Sequence, residues 1–531
     1  MKNFILLITL VLITCISAQD TRQKDPNVEL PEFVITGIEK VTLPVLPKPK
    51  AELITIISDD FIRPSYSPEE LSISTLSDPE KKDVNILQKE NGFYGNVNAG
   101  LGVYTLPVGQ VSLGTPFDNG LIKGDLLVKN VRNYVDNADY STFGAKIFTS
   151  IFSDNNSDFL PGSTFKLGAN YNYLNYKFYG SSVPDYNRSL HFSNIYFGYS
   201  NFPTENFKLD FKIDERIFYV KDLNLTENNF NVDGFIQTGF KEFLIGGNLT
   251  YGNYYTKADL KGSSRYNFIN VHPYAELNLS DHFTVRGGIV YAHLGSSNLF
   301  SPTAAMSLLF SKKVSFFAEL NPTATVLDPR TLAEKNRFYS INTITPVLQK
   351  EKFNLKGALK YEYETYFEID AGMQYVDYDK YFYFSDTTAT GFFSLDNVNG
   401  KKLSGFVNFL FHTGPNGVFY GGVILENLKA GNSNFIPYAP SLKLNAAYGY
   451  SFSNGLYVEP KLDFYSHCYT NIENTEKIFE FIDAAVKLEY KLSDNFNIFS
   501  VVSNILNHKN YFWQGYREKK LDLLFGINYK W

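Results

Sequence analysis

The sequence predicts an all-β protein: a transmembrane antiparallel β-barrel of about 22 strands, within a range of roughly 18 to 22, behind a short and mostly irregular N-terminal periplasmic segment. Three observations predict it. Side chains alternate between apolar and polar through segment after segment from residue 92 onward. The connections between those segments alternate short and long. The composition is strongly aromatic, 16%, with 47 Phe and 38 Tyr, yet mean hydropathy is only −0.19. No segment beyond the N-terminus is an apolar run long enough for a membrane helix.

The chain begins with a secretory signal at residues 1–18. Lys2 supplies the positive start, positions 4–13 an apolar run, and Ile16-Ser17-Ala18 a cleavage site, so the mature chain begins at Gln19. Cys15 leaves with the signal, and Cys468 alone remains, which excludes an intrachain disulfide.

Residues 19–91 form a leader rich in proline and charge and poor in glycine. Within it, Phe33, Val34, Ile35, Thr36 and Gly37 make a short β-prone run between polar flanks, a pattern that can pair with the exposed sheet edge of a partner. The plain alternative is an ordinary edge strand. Leu43-Pro44-Val45-Leu46-Pro47-Lys48-Pro49-Lys50 is an extended, stiff linker. Residues 52–57 are briefly apolar, and 58–90 are polar and irregular.

Residues 92–531 are the predicted barrel. Phe207-Lys208-Leu209-Asp210-Phe211-Lys212-Ile213-Asp214 alternates without fault, as do 353–363 and 482–491; 165–173 and 456–464 do so less cleanly. A period of two places one set on each face of a strand. The charged faces meet water and the apolar faces meet lipid or a core. Tight turns such as Leu279-Ser280-Asp281-His282 and Leu492-Ser493-Asp494-Asn495 interleave with longer connections around 222–229, 257–266, 328–350, 385–400, 427–440 and 470–477. That asymmetry belongs to outer-membrane barrels, and it puts both termini on one side, which requires an even strand number. No repeat of fixed period argues for a propeller or a solenoid.

The last strand runs Leu521-Asp522-Leu523-Leu524-Phe525-Gly526-Ile527-Asn528-Tyr529-Lys530-Trp531, with every odd position apolar or aromatic. Together with Val502-Ser503-Asn504-Ile505-Leu506-Asn507-His508-Lys509-Asn510-Tyr511 before it, this stretch resembles the closing hairpin of TonB-dependent outer-membrane receptors. Gly526, Tyr529 and Trp531 resemble the C-terminal signal read by the barrel insertion machinery, with Leu524 where that signal is usually polar. Residues 33–37 resemble the segment by which such receptors are gripped by a TonB-type energy transducer, and 52–57 the first strand of a receptor plug. The resemblance stops there: 19–91 is too short for the family's full plug, and its glycine-rich and arginine-bearing motifs are missing. What the resemblance implies is an outer-membrane receptor or channel in solute uptake, surrounded by outer-membrane lipid. Its lumen would be closed by a plug-supplying or lipoprotein partner. The other function class is a non-transporting scaffold barrel in assembly or secretion.

Catalytic chemistry is not expected. The seven histidines are scattered, and there is no Cys pair, His-Glu-x-x-His or phosphate loop. No cofactor and no metal site are expected. Adjacent His467 and Cys468 would point to opposite faces of a strand. Asp377 and Asp379 share a face and could hold calcium, but solvated carboxylates explain them as well. Tyr378, Tyr381, Phe382, Tyr383 and Phe384 suit either a sugar or peptide ligand or an interfacial girdle. A net charge of −6 argues against nucleic acid.

Overall fold

The computed structural model describes residues 92–531 except 155–159, 205–206, 241, 260 and 365. The signal, the leader segment at 33–37, the proline linker and residues 52–57 lie outside the described residues.

The first strand, Tyr94–Gly102, pairs with Thr105–Phe117 on one side and with the last strand, Asp522–Lys530, on the other, so the sheet closes and has no edge. All pairings are antiparallel, each strand beside the next in sequence. The sheet has 23 strands, but Val314–Leu320 and Ala324–Leu327 lie end to end along Val347–Tyr363 and occupy one position, leaving a wall of 22. The even count matches the expectation, and the start of the first strand lies beside the end of the last one at one end of the barrel.

Both faces follow the period of two. Ile147, Leu167, Ile195 and Phe525 stand 53%, 53%, 58% and 59% exposed on the outward face, as lipid-facing side chains do. Lys212, Asp214, Asn229 and Asn231 project inward. Three expected loops are shorter than the sequence suggested. The stretches 222–229 and 257–266 are mostly strand, since Leu225–Phe240, Phe243–Ala258 and Gly262–Ser280 meet through turns at 221–224 and 259–261. The long hairpin Phe367–Ser385/Ser394–His412 leaves only 386–393 as loop. Asn- and Thr-rich sequence reads as loop by composition, but in the strand Leu225–Phe240 the inward Glu227 and Asn229 are buried, bonded to Arg330 and Asp328.

The end where the first strand starts and the last one finishes has tight turns, at 118–119, 281–282 and 312–313. The far end carries the long connections 132–139, 178–186, 328–346, 386–393, 431–441 and 504–521. Two small hairpins stand among them, Cys468–Tyr469 with Lys477–Ile478 and Tyr511–Trp513 with Tyr516–Arg517.

Candidate functional site: a polar lumen capped at its far mouth

Along the middle of the wall the inward face is charged and self-compensating. Opposite charges sit two residues apart on one strand: Lys123 with Asp125 at 3.4 Å, Lys212 and Arg216 with Asp214 at 2.9 and 2.8 Å, Lys461 with Asp463 at 2.8 Å, Lys487 with Glu489 at 2.9 Å. Across strands, Arg286 meets Glu276 at 2.5 Å. Positions two apart face the same way, so on these strands opposite charges pair on one polar inward face.

Near the far rim the inward face changes character. Phe192, Phe218, Leu190, Val220, Leu225 and Ala258 are inward and buried, where the same strands carry Asn194, Asp214 and Asn231 deeper down. The inward face of these strands is apolar and buried there, so its neighbour is not water. The neighbour is the connection 328–346, folded onto the inner side of the wall. Asp328 caps the short helix Pro329–Lys335, its Oδ1 accepting from the Thr331 N–H at 2.7 Å, with Pro329 in the first turn. Pro329, Leu332 and Ala333 are buried on the wall, and Phe338, Tyr339 and Ile341 continue the same core.

The cap is seated by polar contacts that converge on its backbone. Tyr176 Oη donates to the carbonyl of Arg337. Arg188 Nη1 donates to that of Tyr339 at 2.7 Å, Lys261 Nζ to that of Ile341 at 2.7 Å and Ser264 Oγ to that of Ile344 at 2.8 Å. In the other direction Arg330 donates from Nη1 to the Ser193 carbonyl at 2.9 Å and from its backbone N–H to Glu227 Oε2 at 3.1 Å. Asn229 Nδ2 links Glu227 and Asp328, at 2.5 and 2.8 Å. Burial lowers the pKa of Lys335, against the pull of the Asp328 carboxylate, and lowers that of Lys261, where the Arg188 charge adds to the effect.

Other far-end loops complete the cap. Tyr339 forms a parallel bridge with Phe393, the Ser340 N–H donates to the Phe393 carbonyl at 2.8 Å, and Tyr516 Oη donates to the Gly391 carbonyl at 2.7 Å. The Phe338 and Tyr516 rings stack. Phe382 and Phe384 pack on this core, while Tyr378, Tyr381 and Tyr383 pack on a second one around Val376, Leu428 and Ile436. The aromatic run 378–384 is therefore a packing element. Asp379 is held by Lys350 and Lys352, at 2.7 and 3.4 Å. Among the described residues no cluster of three or more His, Cys, Asp or Glu could hold a metal.

The C-terminal residues singled out in the sequence lie at the seam. Gly526 faces inward, where a Cβ would come within 2.2 Å of the Phe499 ring and 2.5 Å of the Ala99 carbonyl, so only glycine fits. Tyr529 and Trp531 face outward and stack at 5.6 Å. Trp531 and Gly95 exchange two backbone hydrogen bonds, both 3.1 Å.

No family model and no curated protein matches the sequence. Solved structures do match in fold. The FrpB iron transporter of Neisseria meningitidis superposes with a TM-score of 0.65 at 12% identity, over 83% of this chain and 82% of that one. The copper transporter OprC gives 0.64 at 11%, over 83% and 81%. The ferric-catecholate import receptor Fiu of E. coli K12 gives 0.62 at 10%, over 83% and 82%. The likeness is one of fold: this chain has the large closed barrel of outer-membrane receptors.

The cap went unread in the sequence. Its signal was available in the strands beneath it, whose inward positions turn from Asp and Asn to Leu, Phe and Val within their last turns toward the rim.

Proposed function

We propose that this chain is an uptake receptor or channel of the outer membrane, of the TonB-dependent type, with the far end facing the cell exterior. An energy transducer engages Phe33, Val34, Ile35, Thr36 and Gly37 from the periplasm. A plug-supplying or lipoprotein partner completes the closure of the lumen. The last strand, with Gly526, Tyr529 and Trp531, is the segment presented to the barrel insertion machinery. The observation that carries this reading is a hydrated, charge-compensated lumen under a cap hung on hydrogen bonds to backbone carbonyls. A wall lined for water serves passage, and a closure seated by a handful of such bonds can be released.

Planar-bilayer conductance tests it, comparing the purified chain with a variant in which 329–345 is replaced by a short Gly-Ser linker. The expected result is low conductance for the full chain and an open pore for the variant. Equal, high conductance in both means that the cap closes nothing. Equal, low conductance means that another segment, 19–91 first among them, blocks the lumen.

The scaffold reading is favoured by one feature, the apolar core under the cap, which is larger than a frequently opened gate needs. Cells that behave normally with the cap cross-linked shut would support it.

A further inference from the structure

The outer surface of the wall carries a built feature that passage through the lumen does not use. Phe143, Tyr171, Tyr173, Ser189, His191, Tyr219 and Lys221 line an open dent of about 530 Å³. Strand register places them together: Phe143 opposes Tyr173, Tyr173 opposes His191, and His191 opposes Tyr219. All but Lys221, which follows directly on its strand, share the outward face of Ile147, Leu167 and Ile195, so the dent lies where the wall passes from aliphatic to Tyr, His and Ser. In a membrane barrel that is the level of the lipid headgroups.

The chemistry of the rim is selective. Lys221 is the cation of the dent, and no carboxylate lines it. The nearest acid in sequence, Asp222, is already engaged by Tyr186 and Arg188, at 2.7 and 2.9 Å. The Tyr171 hydroxyl lies 2.8 Å from His191 Nδ1, which leaves Nε2 for a ligand. The rings of Tyr173 and Tyr219 flank His191 at 5.0 and 5.6 Å, fixing the imidazole and walling the dent with aromatic surface. One register position beyond Tyr219, Thr226 leads to a second outward cation, Lys257.

We propose that this dent binds the anionic, phosphate-bearing headgroup of a membrane lipid, its acyl chains lying on Ile147, Leu167 and Ile195. The phosphate meets Lys221, His191 Nε2 and the tyrosine hydroxyls, and the rings cover the glycerol or sugar portion. The proposal rests on the membrane-spanning reading of the barrel but not on solute uptake.

Native mass spectrometry of the full chain in a zwitterionic detergent tests it, with phosphatidylglycerol and phosphatidylcholine added at equal concentration. The expected result is about fivefold greater retention of phosphatidylglycerol, the preference that one cation near a lipid surface gives. Lys221→Gln with His191→Ala should reduce that preference to parity. Lys221→Arg should keep it, and Lys461→Gln in the lumen should leave it untouched. All variants are first checked for heat-modifiable migration, so that misfolding is not read as lost binding. Equal retention of the two lipids by the wild type, or an unchanged preference in the double variant, overturns the proposal. Displacement of the bound phosphatidylglycerol by millimolar inorganic phosphate assigns the dent to a free anion and overturns the lipid as its source. A barrel that folds and closes but shows no lipid preference loses this site and keeps its proposed function.

Discussion

Arg188 holds Tyr339 across 151 positions of sequence, its Nη1 donating to the tyrosine's carbonyl at 2.7 Å while its Nε donates to Asp222 at 2.9 Å. One buried guanidinium thus joins the wall, the turn above it and the cap.

Arg188→Ala should free the cap before it unfolds the barrel. Removing one partner of a buried pair costs about 3 kcal/mol, here charged to the cap. Trypsin should then cut after Lys335 or Arg337 at least tenfold faster than in the wild type, while the barrel still migrates as a heat-modifiable band. Unchanged resistance at those bonds would show that the apolar core alone seats the cap.

Gly526→Leu should prevent closure of the barrel. The new side chain would meet the Phe499 ring and the Ala99 carbonyl at once. Phe499→Ala clears the ring but not the backbone, so the double variant should recover only part of the folded band. Full recovery would mean that the backbone contact is harmless.

Deleting Trp531 should lower the amount of protein in the membrane more than Phe435→Ala does. The deletion removes two backbone hydrogen bonds to Gly95 as well as the ring stacked on Tyr529. Phe435 stacks on Tyr469 within the far-end loops and takes no part in closure. Quantitative immunoblots of membrane fractions read the difference, and equal amounts would remove the terminal residue from any insertion role.

Cys468 should be a silent thiol in the folded protein. Burial pushes its pKa up to about 11, so at pH 8 only about a thousandth is thiolate. Maleimide labelling should be slow at pH 8, rise about tenfold per pH unit toward 11, and become fast at once in denaturant. The linkage has a definite sign: the unfolded thiol loses its proton first, near its ordinary value. Stability from this group is therefore complete below that value and falls as pH rises toward 11. Rapid labelling of folded protein at pH 8 would mean that the hairpin Cys468–Tyr469/Lys477–Ile478 opens.

Val34→Pro should abolish binding of the leader to the C-terminal domain of the energy transducer, since proline lacks the backbone donor that strand addition needs. Binding by calorimetry is the readout, and undiminished affinity would leave 33–37 as plain leader.

Much of the wall was legible because its rule is local. In Lys208, Asp210, Lys212 and Asp214 the inward face can be read directly, and in Leu521, Phe525, Ile527 and Tyr529 the outward one. Strand ends were less legible where polarity misled: Glu227 and Asn229 look like loop and are strand, because both are buried against the cap, Glu227 accepting from the Arg330 N–H and Asn229 donating to Asp328. The cap was not legible at all. Its contacts join Tyr176 to Arg337, Asn229 to Asp328 and Tyr516 to Gly391, and the last pair is 125 positions apart. No periodicity encodes such pairings, and in sequence alone the aromatic run 378–384 suits a ligand surface or a girdle equally.

The anchoring of the cap through the carbonyls of Arg337, Tyr339, Ile341 and Ile344 has an evolutionary consequence. Every amino acid offers that same oxygen, so the wall recognises the path of the cap and not its letters. A substitution at Ser340, whose bond to Phe393 is made by its backbone N–H, can accumulate without unseating the cap, provided that Phe338, Tyr339 and Ile341 keep their bulk. A loop seated in this way can change its outward side chains over generations while its inward seat stays the same.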